Sequence, residues 1–247
     1  GAAYLGQIHW PQGSSNRDVF VLNDGGKINL YGADIYGPEN RYAYLDSDWS
    51  LGSSTLYVTG DYTSKWAANP YFYIHDNLTS YQSNGYQTQG DIYQISSVGS
   101  YDSTNDRTPI NTTTSCARSC TAVNLDTGYQ SKLILVTRNL ELGDPNNTDK
   151  YSVYTGYNGY TERINFDNNQ SSSNINAYFK NCLFFGWNNA IQGGYNLDYE
   201  DACFVSNSTC FYGCANCQIT GDFISNSTCI SSCANCQIGR ASCRERV

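Results

Sequence analysis

Phe204–Ile219 reads FVSNSTCFYGCANCQI, and 19 residues further on Phe223–Ile238 reads FISNSTCISSCANCQI. Thirteen of the sixteen positions are identical or near-identical, with Asn207 over Asn226, Cys210 over Cys229, Cys214 over Cys233 and Cys217 over Cys236. A looser copy, YFKNCLFFGWNNAI, precedes them at Tyr178–Ile191. A period near twenty, built from a short strand, an Asn and small polar turn residues, describes one coil of a β-solenoid, in which like positions stack on successive rungs. Val205/Ile224, Asn207/Asn226, Thr209/Thr228 and Phe211/Ile230 share one parity. Alternate strand residues face opposite ways, so this parity is expected to line the interior, with the Asn pair forming a ladder at a turn.

Outward from the repeat the pattern stays that of short strands. DVFVLND, KINLYGA, TLYVTGD, YFYIHDN, DIYQISSV, KLILVTRNLEL, YSVYTG and AYFKNCLFF are apolar or aromatic runs closed by Gly, Asn, Asp or Ser. Helical spacing is almost absent, and turn residues recur too often for long helices. The fold class expected is all-β, a β-solenoid with single-stranded coils of about 19–25 residues.

Composition narrows the function classes. The 247 residues include 14 Lys or Arg and 22 Asp or Glu, a net charge of −8 with a pI near 4.6, which excludes electrostatic binding of nucleic acid. With 40% apolar and 15% charged residues the chain is neither a charge-driven disordered polymer nor interrupted by a run approaching the roughly 18 apolar residues of a membrane helix. It contains no Met, so it reads as a fragment. From Ile238 the chain reads IGRASCRERV, with three Arg where the preceding 237 residues hold six. That decapeptide resembles the translation of a sequencing-adapter oligonucleotide, and residues 239–247 are set aside as an artefactual tail.

Sequons at Asn77, Asn111, Asn146, Asn169, Asn207 and Asn226, together with ten cysteines before the tail, point to the secretory pathway. Stacked glycans on Asn207 and Asn226 would emerge about 5 Å apart, so Asn77, Asn111, Asn146 and Asn169 are the better glycosylation candidates. Adjacent rungs lie about 4.8 Å apart, inside the Cα range of about 4.4–6.8 Å that a disulfide tolerates. Disulfide candidates are Cys116 and Cys120, Cys182 and Cys203, and the repeat cysteines Cys210, Cys214, Cys217, Cys229, Cys233 and Cys236. Cys214-x-x-Cys217 and Cys233-x-x-Cys236 also match a four-cysteine zinc spacing, and inward-stacked thiols are a third reading. The spacing follows from duplication of one unit, so no metal or cofactor is assigned.

DGGKINLYG at Asp24–Gly32, STLYVTGDYTSKWAANPYFYI at Ser54–Ile74, GDIYQISSVG at Gly90–Gly99 and KLILVTRNLELGD at Lys132–Asp144 occur in the order seen in a known pattern. They resemble the fibrocystin (polycystic kidney and hepatic disease) family and the related cell-surface hyaluronidases, in which a domain named for its glycines leads into a parallel β-helix. The resemblance implies a right-handed parallel β-helix, secreted or at the cell surface, with glycans or extracellular proteins as partners. It implies a division into an N-terminal β-domain remnant at 1–32 and a β-helix at 33–238, ahead of the tail already set aside. The histidine-containing stretches of the hyaluronidases have no counterpart around His9 or His75, so no catalytic residue is carried over.

A polysaccharide-cleaving β-helix would need two or three carboxylates with a cation along one groove. Asp61, Asp76, Asp144, Asp149, Lys150, Arg138 and Arg163 are the candidates, each better accounted for as a turn residue or, at Arg138, as part of a buried ion pair. The stronger signal is aromatic. Of 22 Tyr, several lie among Gly, Asn and Gln in YQSNGYQTQG at Tyr81–Gly90 and YTGYNGYTE at Tyr154–Glu162, and planar rings beside amides suit sugar faces or protein contact. The reading is therefore a non-enzymatic surface protein that presents Tyr- and Asn-rich loops, with a glycan-cleaving enzyme as the alternative. A third reading makes the last 35 residues a separate cysteine-rich module.

Overall fold

A computed structural model describes residues 6–9, 17–22, 27–33, 36, 40–75, 90–117, 119–123, 128, 130–137, 140–143, 162–166, 176–180, 182–185, 189–192, 197–205, 209–224 and 228–241. Among these residues there is no α-helix. The chain divides into two compact units, one made of residues 1–35 and 138–247 and the other of residues 36–137.

The first unit begins with β1 (Gly6–His9), β2 (Arg17–Leu22) and β3 (Lys27–Tyr31). After the second unit it resumes with β10 (Leu140–Gly143), β11 (Glu162–Phe166) and β12 (Asn176–Lys180), then β13 (Cys182–Phe185), β14 (Asn189–Gln192) and β15 (Leu197–Val205). It ends with β16 (Thr209–Tyr212), β17 (Gln218–Ile224), β18 (Thr228–Ser231) and β19 (Gln237–Ala241). Among the described residues all its strand pairings are parallel and fall into three ladders. The first runs β1, β10, β13, then the second halves of β15 and β17. The second runs β2, β11, β14, β16, β18. The third runs β3, β12, then the first halves of β15 and β17, then β19. The chain visits each ladder once before returning to the first, so every coil carries three strands. Among the described residues β15 and β17 continue unbroken from the third ladder into the first, with a register shift between Tyr199 and Ala202.

The repeat sets the register at its end. Thr209 pairs with Thr228, Phe204 with Phe223 and Gln218 with Gln237, each 19 residues on. Earlier coils are longer: Ile164 meets Ile191 and Leu140 meets Cys182, because additional chain is accommodated between strands. The ladders continue without a break from β12 to β19, which removes the reading of a separate cysteine-rich module. β19 extends through Gly239, Arg240 and Ala241, so the first residues of the expected tail belong to the third ladder.

Each ladder contributes aromatic side chains to the interior. Phe184, Phe204 and Phe223 stack in the first, with ring centroids 4.9 and 5.1 Å apart and planes within 9° of parallel. Phe179 stacks on Tyr199 in the third at 4.8 Å, and Phe211 of the second meets Tyr199 and Phe204 edge-on at 5.0 and 5.1 Å. Burying each ring contributes about 1.5–3 kcal/mol, and the offset and edge-on geometries suit the ring quadrupoles. Phe211, on the parity expected to face inward, is buried. In β15 and β17 Phe204 and Phe223 are buried, and so is Cys203, while the side chains of Val205 and Ile224 lie outside the described residues. The Asn207/Asn226 ladder lies outside the described residues.

The second unit corrects the expectation of a continuous β-helix over 33–238. Its strands are β4 (Tyr42–Tyr44), β5 (Thr55–Thr59), β6 (Tyr71–His75), β7 (Gly90–Val98), β8 (Arg107–Thr112) and β9 (Lys132–Leu135). They pair antiparallel in the order β4-β9-β6-β7-β8-β5. Leu45 bridges to Val58, and Asp46 N–H donates to the Tyr57 carbonyl at 2.8 Å, so the two ends of the sheet meet and it closes on itself. Closure hides the edges that an open antiparallel sheet would expose. Alternate residues of β5 and β8 are buried, and Trp49, Trp66, Phe72 and Tyr93 fill the centre. The polar atoms of these rings are satisfied at the rim: Trp66 Nε1 donates to the Asn40 carbonyl at 2.7 Å, and Trp49 Nε1 to the Ser53 carbonyl at 3.1 Å. Three of the segments behind the family resemblance, Ser54–Ile74, Gly90–Gly99 and the first part of Lys132–Asp144, lie in this unit, and Asp24–Gly32 leads through β3 in the first.

Candidate functional site

The third ladder gathers outward-facing polar and aromatic side chains from successive coils. Tyr31 pairs with Lys180, and Lys180 with Glu200; Asn29 pairs with Tyr178, Tyr178 with Asp198, and Asp198 with Gln218. Between them Phe179, Leu197, Tyr199 and Ile219 point inward and are buried, which leaves this set on the solvent side. The Tyr31 and Tyr178 rings lie 5.2 Å apart at 49°, and Tyr31 is 63% exposed.

Glu200 organises the patch. Tyr178 Oη donates to its Oε2, and Lys180 Nζ donates to its Oε1 at 2.6 Å. The bond to Glu200, followed by burial, pushes the Tyr178 phenol well above its ordinary range, so it remains a donor. Partial burial and the Glu200 charge raise the Asp198 carboxyl. At 36% and 41% side-chain exposure the Lys180–Glu200 pair adds little stability and chiefly holds its members in place. The result is two rings, an ammonium and two carboxylates on one surface. Ring faces accept the C–H face of a sugar, while the charged groups donate to and accept from hydroxyls.

None of these five residues was among the sequence candidates. Asp61 is an exposed turn residue whose Oδ1 accepts from Thr63 N–H at 2.9 Å and Thr63 Oγ1 at 2.6 Å, bonds that lower its carboxyl. Arg163 is in β11 and His75 ends β6, their side chains lying outside the described set, as do Asp76, Arg138, Asp144, Asp149 and Lys150 altogether. The Tyr-rich loops at 81–89 and 154–161 also lie outside it, and so do the sequons at Asn77, Asn146 and Asn169. Asn111 is in β8, where its Oδ1 accepts from Thr55 Oγ1 at 2.7 Å and its Nδ2 donates to Ser97 Oγ at 2.9 Å.

The cysteines fall into separate groups. Cys116 and Cys120 are buried near Trp49, whose N–H donates to the Cys120 carbonyl at 2.8 Å. Cys182 and Cys203 are buried on neighbouring strands, but the ladder sets Cys203 opposite Leu183, one residue out of step. Cys210 is buried and shares its rung position with Cys229, whose side chain lies outside the described residues. Cys214, Cys217, Cys233 and Cys236 occupy a corner where two Cys-Ala-Asn-Cys turns stack. Ala215 pairs with Ala234, and Gly213, Asn216, Ser232 and Asn235 all have left-handed φ. Among the described residues no three His, Cys, Asp or Glu side chains converge as a metal site.

The class defined by fold and surface is an all-β protein of stacked parallel coils carrying an inserted antiparallel barrel. No family model and no curated protein matches the chain. Among solved structures it is similar to the Gp54 tailspike of Acinetobacter baumannii bacteriophage AP22, determined in complex with A. baumannii capsular saccharide, at 13% identity and a TM-score of 0.31, covering 97% of this chain and 39% of that one. The tailspike gp49 of Pseudomonas phage LKA1 follows at 10% identity and a TM-score of 0.28, covering 84% and 35%. The tailspike gp61 of Pseudomonas phage phi297 gives 8% identity and a TM-score of 0.30, covering 93% and 37%. The chain thus spans less than two-fifths of each of these proteins.

Proposed function

We propose that this chain is a secreted or cell-surface protein, built on a right-handed parallel β-helix, that binds glycans across the outward face of its third ladder. The observation that carries the reading is the register that places Tyr31, Tyr178, Lys180, Asp198 and Glu200 on one surface. Lys180 is already neutralised by Glu200, so the patch is net acidic and suits neutral or amino-bearing sugars better than polyanionic ones. Binding rather than turnover is the primary reading, because both oxygens of Glu200 are engaged by Tyr178 and Lys180.

The test is titration of the chain against panels of neutral, amino-bearing and acidic oligosaccharides. Tyr31→Ala and Tyr178→Ala are expected to weaken binding roughly three- to tenfold each, with unchanged melting temperature. Undiminished binding by both variants would remove the third ladder as the site.

A second reading, glycan cleavage, is favoured by the raised Asp198 carboxyl two residues from Glu200. Their Cα atoms are about 6.7 Å apart along the strand, and two carboxyl groups on one face with the proton affinity of one raised are the kind of pair glycoside hydrolysis uses. Release of new reducing ends that disappears in Asp198→Asn would establish this reading over simple binding.

A further inference from the structure

We propose that Cys214 bonds to Cys233 and Cys217 to Cys236, so that two disulfides staple the last two described coils from rung to rung. This inference is independent of glycan binding. The two Cys-Ala-Asn-Cys turns are superimposed along the stack by a ladder of their own. Asn216 N–H donates to the Ala234 carbonyl at 2.9 Å, Ala234 N–H to the Cys214 carbonyl at 2.9 Å, and Gln237 N–H to the Cys217 carbonyl at 2.8 Å. Matching left-handed residues, Gly213 with Ser232 and Asn216 with Asn235, give the turns the same path. Equivalent cysteines therefore lie one rung apart, a spacing of about 4.8 Å that falls within disulfide range.

The sulfur contacts support this pairing. Cys214 N–H donates to Cys233 Sγ at 3.3 Å, and Cys236 Sγ lies 4.0 Å from the Cys214 carbonyl oxygen. The Cys214 thiol touches those of both Cys217 and Cys233, and the Cys217 thiol touches that of Cys236. The contacts Cys214 with Cys233 and Cys217 with Cys236 together use all four sulfurs. Hydrogen bonds to the Cys217 and Cys233 sulfurs, then burial, raise the Cys214 thiol, burial pushes the Cys236 thiol up to about 12, and the hydrogen bond to Cys214 lowers the Cys217 thiol, so the four sulfurs act as one cluster.

Formation is a thiol–disulfide exchange. For each bond two S–H bonds break and one S–S bond forms, and one molecule of a disulfide oxidant such as glutathione disulfide is reduced to two thiols, taking up both electrons and both protons. Each cross-link closes a 19-residue segment of chain, as the pairing Thr209 with Thr228 measures it.

The experiment uses the full chain refolded in a glutathione redox buffer, alkylated in acid and cleaved before Asp222, after Phe211 and after Arg240. Cleavage before Asp222 separates Cys214 and Cys217 from Cys233 and Cys236, and cleavage after Phe211 removes Cys210. The expected product is a pair of cross-linked peptides whose electron-transfer fragments join Cys214 to Cys233 and Cys217 to Cys236. Two peptides each closed internally, or four alkylated thiols, would overturn the assignment. Hydrogen exchange is the second readout: reduction is expected to accelerate amide exchange in residues 228–241 at least about tenfold while β5 to β8 stay unchanged. Exchange of 228–241 that is indifferent to reduction would count against the staple.

Discussion

Ser232 stands one coil beyond Gly213 in the same left-handed turn, with φ of 55° against 67°. A Cβ in that conformation crowds the following carbonyl at a cost of about 1–2 kcal/mol, and glycine avoids it. Ser232→Gly is therefore expected to raise stability by about 0.5–1 kcal/mol after the greater unfolded-state entropy of glycine is deducted, and Gly213→Ser to lower it by about as much. Urea midpoints of the two variants check this, and equal midpoints would mean that the turn relaxes to absorb the strain.

Tyr199 carries a fully buried hydroxyl with no hydrogen-bond partner among the described residues. Burial holds its phenol well above the usual range, so ionisation offers no relief. Removing an unsatisfied hydroxyl while keeping the ring is expected to stabilise the protein by about 1–2 kcal/mol. Thermal unfolding of Tyr199→Phe should show a higher melting temperature than the parent.

Gly221 lies at the point where β17 passes from the third ladder to the first. A Cβ there would collide with the Ala202 carbonyl oxygen and stand 3.0 Å from its carbon and 3.2 Å from its nitrogen, all backbone atoms that cannot swing aside. Gly221→Ala is expected to cost about 2–3 kcal/mol through overpacking. A urea midpoint equal to that of the parent would show that the two strands can separate there.

Asp198 has a folded-state carboxyl raised above its ordinary 3.8 by partial burial and by Glu200. The folded chain therefore keeps a proton that the unfolded chain has lost, and this group's contribution to stability falls as pH rises from 3.8 through the folded-state value. Asp198→Asn is expected to be slightly more stable than the parent at pH 7 and to lose that advantage below the unfolded carboxyl range. Paired unfolding curves at pH 7 and pH 3 test the sign, and an advantage confined to low pH would contradict the assignment.

Much of the strand content is legible locally. Runs such as TLYVT and YFYIH alternate or cluster β-branched and aromatic residues, and β5 and β6 form there. AYFKNCLFF, by contrast, reads as one strand but supplies both β12 and β13, which pair on different ladders, and hydrophobicity does not mark the division. Tyr31, Tyr178 and Glu200 could not be found by scanning for turn acids or Tyr-rich loops: they come from three coils, and their proximity exists only once β3, β12 and β15 stack.

By itself the amino-acid sequence determined the all-β character and the 19-residue register of the final coils, because side-chain alternation and duplication repeat the same local preferences at a constant period. Only the tertiary structure decided that residues 36–137 close into an antiparallel sheet of their own, and that Arg17–Leu22 pairs with Glu162–Phe166 across that insertion. Parallel and antiparallel partners offer a strand the same hydrogen-bonding groups. The choice between them rests on which distant edge the returning chain can reach and on which core the buried faces complete, and neither leaves a mark in the strand's own residues.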